Sequence, residues 1–245
     1  MPIKPDSVEP DSASERRIIN AWLRVAAPWA AAAREARIES RRLVTDRAIV
    51  DCVLARSPQR VLDIGCGEGW LARELAQNGV HVDGVDVAPE LIASAREAGG
   101  ERFEVMSYEA IADGAISDRY DACVCNFSLL GETSVERLVD AIPMLLTPPG
   151  VLIVQTLHPL IACGEHAYRD GWREGSWSGM GEGFGEAAPW YFRTLETWVN
   201  VYDSAGLRIV ALHEPVHPVT AKPASLILVG GIAGAVRRQP FAASD

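Results

Sequence analysis

From residue 60 onward the chain alternates two kinds of segment, and this alternation limits its fold more than any other feature. Short apolar runs read as strands: "RVLDIG", "VHVDGVDV", "RFEVMS", "YDACVCNFSLL" and "VLIVQTL". Between them lie stretches with apolar residues three and four apart, "EGWLARELAQNG", "APELIASAREAGG" and "SVERLVDAIPMLLTPPG". That spacing predicts helices, and "YEAIADGAIS" predicts a short helix or a loop. Gly79 stops one helix and Pro89 sits in the first turn of the next, as these residues do. Strands alternating with helices predict a parallel sheet covered on both faces. The last two strands, "LRIVALHE" and "ASLILVGGIA", are joined only by "PVHPVTAKP". That link is too short for a crossover, so they are expected to pair antiparallel.

Length and composition place the rest. The 245 residues suffice for one large α/β domain or two small ones. We expect a tail and helices over 1–56 and the α/β domain over 57–245. Residues 1–12 are rich in proline and acid and are expected to be loosely attached. Ser14 can cap a helix that begins near Glu15, with Ile18, Ile19, Trp22, Val25 and Ala26 on one face. Pro28 is expected to break or restart that helix, and a second helical stretch runs to Leu54. No apolar run approaches the roughly 20 residues that span a bilayer, and no signal-peptide pattern opens the chain, so a cytoplasmic location is the default. The five cysteines form no CxxC pair, which argues against a disulfide framework or a zinc site. His213 and His217 lie in a hairpin rather than on a helix, so no metal is expected. A net charge of −10 disfavours a polyanionic partner, although ten arginines between 16 and 60 leave room for a local basic patch.

The sharpest local motif is "RVLDIGCGEGW" at 60–70. Gly65, Gly67 and Gly69 follow the first strand and open a helix, the place where open α/β sheets bind ligands. Glycines there let the backbone turn sharply and let a ligand approach closely. Asp86 ends the second strand about 20 residues later, where an acidic side chain takes the hydroxyls of a ribose. Together these point to a cofactor that contains adenosine. A dinucleotide site prefers G-x-G-x-x-G, whereas this chain has G-x-G-x-G. Asp63 and Glu68 also place negative charge where a pyrophosphate would sit. An ammonium group is welcome there, and S-adenosylmethionine carries one beside a carboxylate and a sulfonium.

These segments, in this order, resemble the class I S-adenosylmethionine-dependent methyltransferases. "VLDIGCGEGWLARELAQNG" is similar to the first motif of that family, and "VDGVDVAPELIASARE" to the second. "FEVMSYEAIA" resembles the adenine-contacting segment and "YDACVCNFSLL" the fourth motif. "LVDAIPMLLTPPGVLIVQTLHP" resembles the helix, turn and fifth strand. The resemblance runs from about residue 60 to 233. It implies a Rossmann-like, doubly wound sheet of seven strands in the order 3-2-1-4-5-7-6, six parallel and one antiparallel, under an N-terminal helical lid. It also implies S-adenosylmethionine as cofactor, with no metal. Carried over residue by residue, Asp63, Gly65, Cys66 and Gly67 line the methionine end. Asp86 binds the ribose and Val87 packs on adenine. Ser107, Tyr108 and Glu109 edge the base, and Asn126, Phe127 and Leu130 close the pocket. Arg41, from the lid, is expected near the cofactor carboxylate.

For the acceptor the fourth motif helps by exclusion. It reads "NFSL" rather than the Asn-Pro-Pro-Tyr of many nucleic-acid and protein N-methyltransferases. The overall pattern resembles the branch that methylates small molecules. Residues 158–191 lack a clean period and form an insertion expected over the acceptor side of the sheet. There Trp172, Trp177 and Trp190, with Tyr191 and Phe192, either box in a flat substrate or pack as a local core. Trp22 and Trp29 of the lid are the matching candidates on the opposite wall. His158 is the candidate general base, with a hydrogen bond to a neighbouring loop as its other reading. Tyr191 and Arg193 complete the catalytic candidates, Arg193 for a substrate carboxylate or phenolate or for a pair with Glu196. The expected function is methyl transfer to O or N of a small aromatic or heterocyclic acceptor. Two rivals stay open, an RNA or protein methyltransferase and a regulator that binds S-adenosylmethionine without turnover.

Overall fold

The structure, a computed structural model, describes residues 12–35, 37–99, 102–177 and 184–234. Most of the proline-rich stretch at 1–12 therefore lies outside the described residues. The main sheet is laid down by β1 (Arg60–Ile64), β2 (His81–Asp86), β3 (Arg102–Val105), β4 (Tyr120–Asn126) and β5 (Leu146–Thr156). Two later strands, β8 (Leu207–His213) and β9 (Leu226–Ile232), complete it. The strand order is β3-β2-β1-β4-β5-β9-β8, and β9 alone runs antiparallel to its neighbours. The seven-stranded order expected from the sequence is thus the one observed.

Strand residues alternate between the two faces, and each face carries its own core. Leu62, Ile64, Cys123 and Cys125 pack on one side with Leu138 and Ile142 of α6 (Thr133–Leu145) and Tyr202 of α8 (Leu195–Ser204). Val61, Val82, Val124 and Ile153 pack on the other with α2 (Asp46–Leu54), α3 (Trp70–Ala76) and α4 (Pro89–Glu97). Full burial of each such Leu or Ile contributes about 1.5–3 kcal/mol. All five cysteines are free, four of them buried. Among the described residues no helix is long and apolar enough to cross a membrane.

One expectation fails here. Helix α1 (Ser12–Arg34) runs straight through Pro28. An interior proline costs about 3 kcal/mol or more. Burial offsets it: Val25, Ala26, Ala30 and Ala32 are almost wholly covered, and Ala26 and Ala30 pack on Ala88 and Leu91 at the start of α4. The break comes later, after Arg34, and a π-helical turn at Arg41–Thr45 then leads into α2. The insertion at 158–191, which shows no clean period in the sequence, has local structure. It holds a short helix, α7 (Pro159–Ala162), and an antiparallel hairpin of β6 (Gly171–Arg173) and β7 (Trp190–Phe192). Three-residue strands separated by residues 174–189 leave no period to read. The "YEAIADGAIS" stretch forms α5 (Tyr108–Ala112).

Candidate functional site

A cavity of about 500 Å³ lies between the carboxyl edge of the sheet and α1, with walls from β1, β2, β4, the π-helical turn and the insertion. One half of it is built by the turns that follow the strands. Gly65 has φ +76°, and a Cβ there would meet Ser128 Cβ at 2.3 Å, so no other residue fits. Gly67 has φ +59°, yet the space before it is open apart from Trp29 Nε1 at 3.9 Å. Its left-handed backbone presents a bare surface to the cavity. Asp86 braces this loop from below. Its Oδ2 accepts from Gly67 N at 2.9 Å and its Oδ1 from Ala88 N at 2.9 Å. Tyr108 donates to Ser128 O at 2.9 Å, and Ser128 Oγ donates to Ile64 O at 2.8 Å. Ser107 caps α5 by accepting from Ala110 N at 3.2 Å. Phe127 leaves β4 with φ +53°, an uncommon conformation for a bulky residue, pinned by its N–H to Gln155 O at 2.8 Å.

Of the expected cofactor residues, Arg41, Gly65, Cys66, Gly67, Asp86, Val87, Ser107, Tyr108, Glu109, Asn126, Phe127 and Leu130 all line this cavity. Asp63 does not. It is buried beneath the loop and its Oδ2 has no partner. Burial and the nearby Asp86 push its carboxyl up to about 7. Burial also raises Asp86, against the pull of its backbone donors at Ala88 and Gly67. Glu68 is buried as well and pairs with Arg73. Burial, with Asp63 and Asp86 close by, raises the Cys66 thiol, so it is no thiolate. The loop thus covers two carboxyls, Asp63 and Asp86, that burial pushes toward the protonated form and that a nearby cation would favour as carboxylates. That arrangement fits a ligand with a cationic end laid over Gly67, and its bare backbone fits a close approach. Arg41 sits at this end, with Nε to Asp46 Oδ1 at 2.9 Å and its guanidinium 4.7 Å from the Trp70 ring.

The other half is assembled from distant parts of the chain. Trp22 and Trp29 of α1 meet Trp177 of the insertion with ring centroids 5.0, 5.7 and 6.4 Å apart. Phe184 packs on Trp177 at 5.2 Å. Rings this close touch one another, so the three tryptophans form a continuous wall and no substrate fits between them. Trp190 and Tyr191 line the cavity beside them. Tyr191 N donates to Leu130 O at 2.8 Å, which ties β7 to the end of β4. Burial, then the Glu132 carboxylate beside it, pushes the Tyr191 phenol up to about 12. It therefore keeps its proton near neutral pH.

Three expected residues stand elsewhere or are already engaged. His158 is buried outside the cavity, and its Nε2 lies 2.7 Å from Glu214 Oε1. It caps the start of α7 while its side chain turns toward the hairpin before β9. Trp172 lies on β6 and meets Tyr191 edge-on at 5.5 Å, also outside the cavity wall. Arg193 reaches the wall, but its guanidinium donates to Gly131 O and Glu132 O at 2.8 Å each. Its charge partner is Glu136 at 3.8 Å rather than Glu196.

Sequence reasoning missed Glu15, Trp70 and Ser128. Glu15 is the most consequential, because its Oε1 accepts from Glu132 N, Ser134 N and Ser134 Oγ at 3.0–3.1 Å. Helix α1 thereby caps α6, whose own N-cap residue makes no side-chain bond. Nothing near Glu15 in the sequence signals a partner 117 residues away. Trp70 and Ser128 do sit inside recognised motifs, and their tight packing on Arg41 and Gly65 is what the motif patterns leave out. Among the described residues no group of three or more His, Cys, Asp or Glu could hold a metal ion.

Comparison with known proteins identifies the family. The family model for a methyltransferase domain matches residues 34–212. The ubiquinone biosynthesis O-methyltransferase of Xylella fastidiosa (strain 9a5c) is 40% identical over 110 residues, 43% of this chain and 45% of that protein. Its counterpart in Burkholderia ambifaria (strain MC40-6) is 35% identical over 104 residues, 41% of this chain and 45% of that protein. The matches thus span less than half the length of these curated relatives. Among solved structures, the 1,6-didemethyltoxoflavin-N1-methyltransferase of Burkholderia thailandensis shares the fold at a TM-score of 0.65. It is 17% identical, and the alignment covers 94% of this chain and 93% of that one. The CcbJ methyltransferase of Streptomyces caelestis has a TM-score of 0.56 at 21% identity, covering 77% and 88%. With a family model matched over well beyond half its length, the chain belongs to the class I S-adenosylmethionine-dependent methyltransferases.

Proposed function

We propose that this chain moves a methyl group from S-adenosylmethionine to O or N of a small, flat, aromatic or heterocyclic acceptor. The observation that carries this reading is one cavity that joins the glycine loop to a tryptophan wall. Its volume, about 500 Å³, falls in the range of small-ligand sites. On this reading residues 1–56 act as the lid and 57–245 as the catalytic domain. When bound, S-adenosylmethionine supplies a methyl group on a positively charged sulfur, which leaves as neutral S-adenosylhomocysteine. Asp86 takes the ribose, Gly65 and Gly67 admit the methionine end, and Arg41 takes its carboxylate. Tyr108 and Glu109 edge the base. The residues facing the acceptor orient it and exclude water, effects that account for much of the rate of a displacement with a good leaving group. Tyr191, held as a phenol, orients by hydrogen bonding. Arg193 shapes the turn at Gly131 and Glu132.

The relatives' names point the same way. Two are ubiquinone biosynthesis O-methyltransferases, and one structural neighbour holds 1,6-didemethyltoxoflavin and S-adenosylhomocysteine. The rival reading, an RNA acceptor, draws on the arginine-rich N-terminal segment. Several of those arginines are already engaged: Arg17 pairs with Glu174 and Glu186, Arg37 with Glu35 and Arg47 with Asp51. The test is transfer of labelled methyl from S-adenosylmethionine to a panel of phenols, N-heterocycles and bulk RNA. Label in a phenol or heterocycle supports the proposal. Label only in RNA supports the rival, and label in none of them supports a regulator without turnover.

A further inference from the structure

Two arginines, five carboxylates and no histidine or lysine line the cavity among the described residues. Arg41 lies away from the acceptor end, and Arg193 leaves only its buried Nε without a partner. Arg41 belongs to the glycine-loop end, held by Asp46 and stacked on Trp70. Arg193 is fully covered even beside the open cavity. Its guanidinium lies 4.9 Å from the Tyr191 ring and 5.4 Å from the Trp198 ring, with both terminal nitrogens committed to backbone carbonyls. The other charged side chains that line the acceptor end are negative, and Arg17 stands outside that lining. Glu15 is fixed there by three donors to one oxygen. Glu174 stands at the rim, pairing with Arg17 at 3.6 Å.

We infer that the acceptor binds as a neutral or cationic molecule, with its most positive end toward Glu15, and that carboxylate- or phosphate-bearing acceptors are excluded. This rests on the methyltransferase reading above and narrows its substrate class. An anion entering this end would give up water and meet like charge with no cation in exchange, an arrangement that selects against it. A ring carrying an amine or an N–H would instead stack on the tryptophan wall and direct its donor at Glu15.

The test uses the full chain saturated with S-adenosylhomocysteine and three probes built on one ring: tryptamine, tryptophol and indole-3-propionate. Calorimetric titration should give tryptamine and tryptophol at least about tenfold tighter binding than indole-3-propionate. Glu15→Gln keeps an oxygen for the α6 cap while removing the charge. It should erase most of tryptamine's advantage over tryptophol and leave tryptophol nearly unchanged. Glu174→Gln, which bonds no backbone N–H, should act in the same direction more weakly, so the test survives should Glu15→Gln fail to fold. Indole-3-propionate binding as tightly as the other two would overturn the inference. So would the failure of all three probes to bind a chain that still holds S-adenosylhomocysteine. Failure of the wild-type chain to bind S-adenosylhomocysteine at all would refute the cofactor reading instead.

Discussion

The two halves of the cavity are made in different ways. The half proposed for the cofactor comes from turns a few residues long that follow β1, β2 and β4. Each is fixed by backbone-level contacts between neighbouring strand ends: a left-handed glycine, a carboxylate bridging two backbone N–H groups, a serine from the turn after β4 packed on the bare Gly65. The half proposed for the acceptor lacks such strand-end turns. Trp22, Trp177, Tyr191 and Glu15 come from segments far apart in the chain and hold one another by ring packing and one through-space cap. Rigid local turns suit a cofactor that a whole family shares. A wall of separately supplied side chains can change without disturbing them.

Three substitutions probe that division, beginning with the largest effect. Gly67→Val places a β-branched side chain at φ +59° and fills the approach to the loop. S-adenosylhomocysteine affinity should fall by at least about a hundredfold, about 2.7 kcal/mol. A shift below about threefold in calorimetry would show that the ligand does not lie against this loop. Trp177→Ala should separate the halves the other way. It removes contacts to Trp22, Trp29 and Phe184 and should lower stability by about 2 kcal/mol. It should raise the acceptor KM about tenfold while S-adenosylhomocysteine affinity stays within about twofold. Equal loss of both ligands would mean that the cavity behaves as one unit.

The third concerns the charge beneath the loop. Asp63 titrates near 7 in the folded chain against 3.8 for a free side chain. A raised carboxyl gives its full stabilisation below the unfolded value and loses it as pH climbs through the folded one. The ligand-free protein should therefore lose stability between about pH 4 and pH 7 through this group. Asp63→Asn should remove that loss, so the difference in melting temperature between variant and wild type should shift in the variant's favour up to about pH 8 and then level off. A pH-independent difference would place the Asp63 titration elsewhere.

The same division explains what the sequence made legible. Gly65, Gly67 and Asp86 were readable because a turn after a strand is a local event with a fixed chemical signature. Alternation and the short link at 215–223 made the parallel sheet and its antiparallel last pair legible, and the strand order came with the family resemblance. For His158 and Trp172 the alternative readings, a hydrogen bond to a neighbouring loop and local packing, are the ones that match, because residue type says nothing about which way a side chain leaves its element. His158 turned toward Glu214, 56 residues on. Pro28 misled because a helix rule weighs local strain and cannot see the burial that outweighs it. Glu15 was invisible because its partners exist only once α1 has docked on the body.

The central claim is that the glycine loop and Asp86 form one S-adenosylmethionine site. It is tested most directly by titrating S-adenosylhomocysteine into the wild-type chain and Asp86→Ala side by side. The variant loses the acceptor of the Gly67 and Ala88 N–H groups together with the proposed ribose contact. The account predicts one site per wild-type chain and at least about a hundredfold weaker binding in the variant, with the circular dichroism of the fold retained. Equal affinity in the two proteins, or no binding by the wild type, would contradict it.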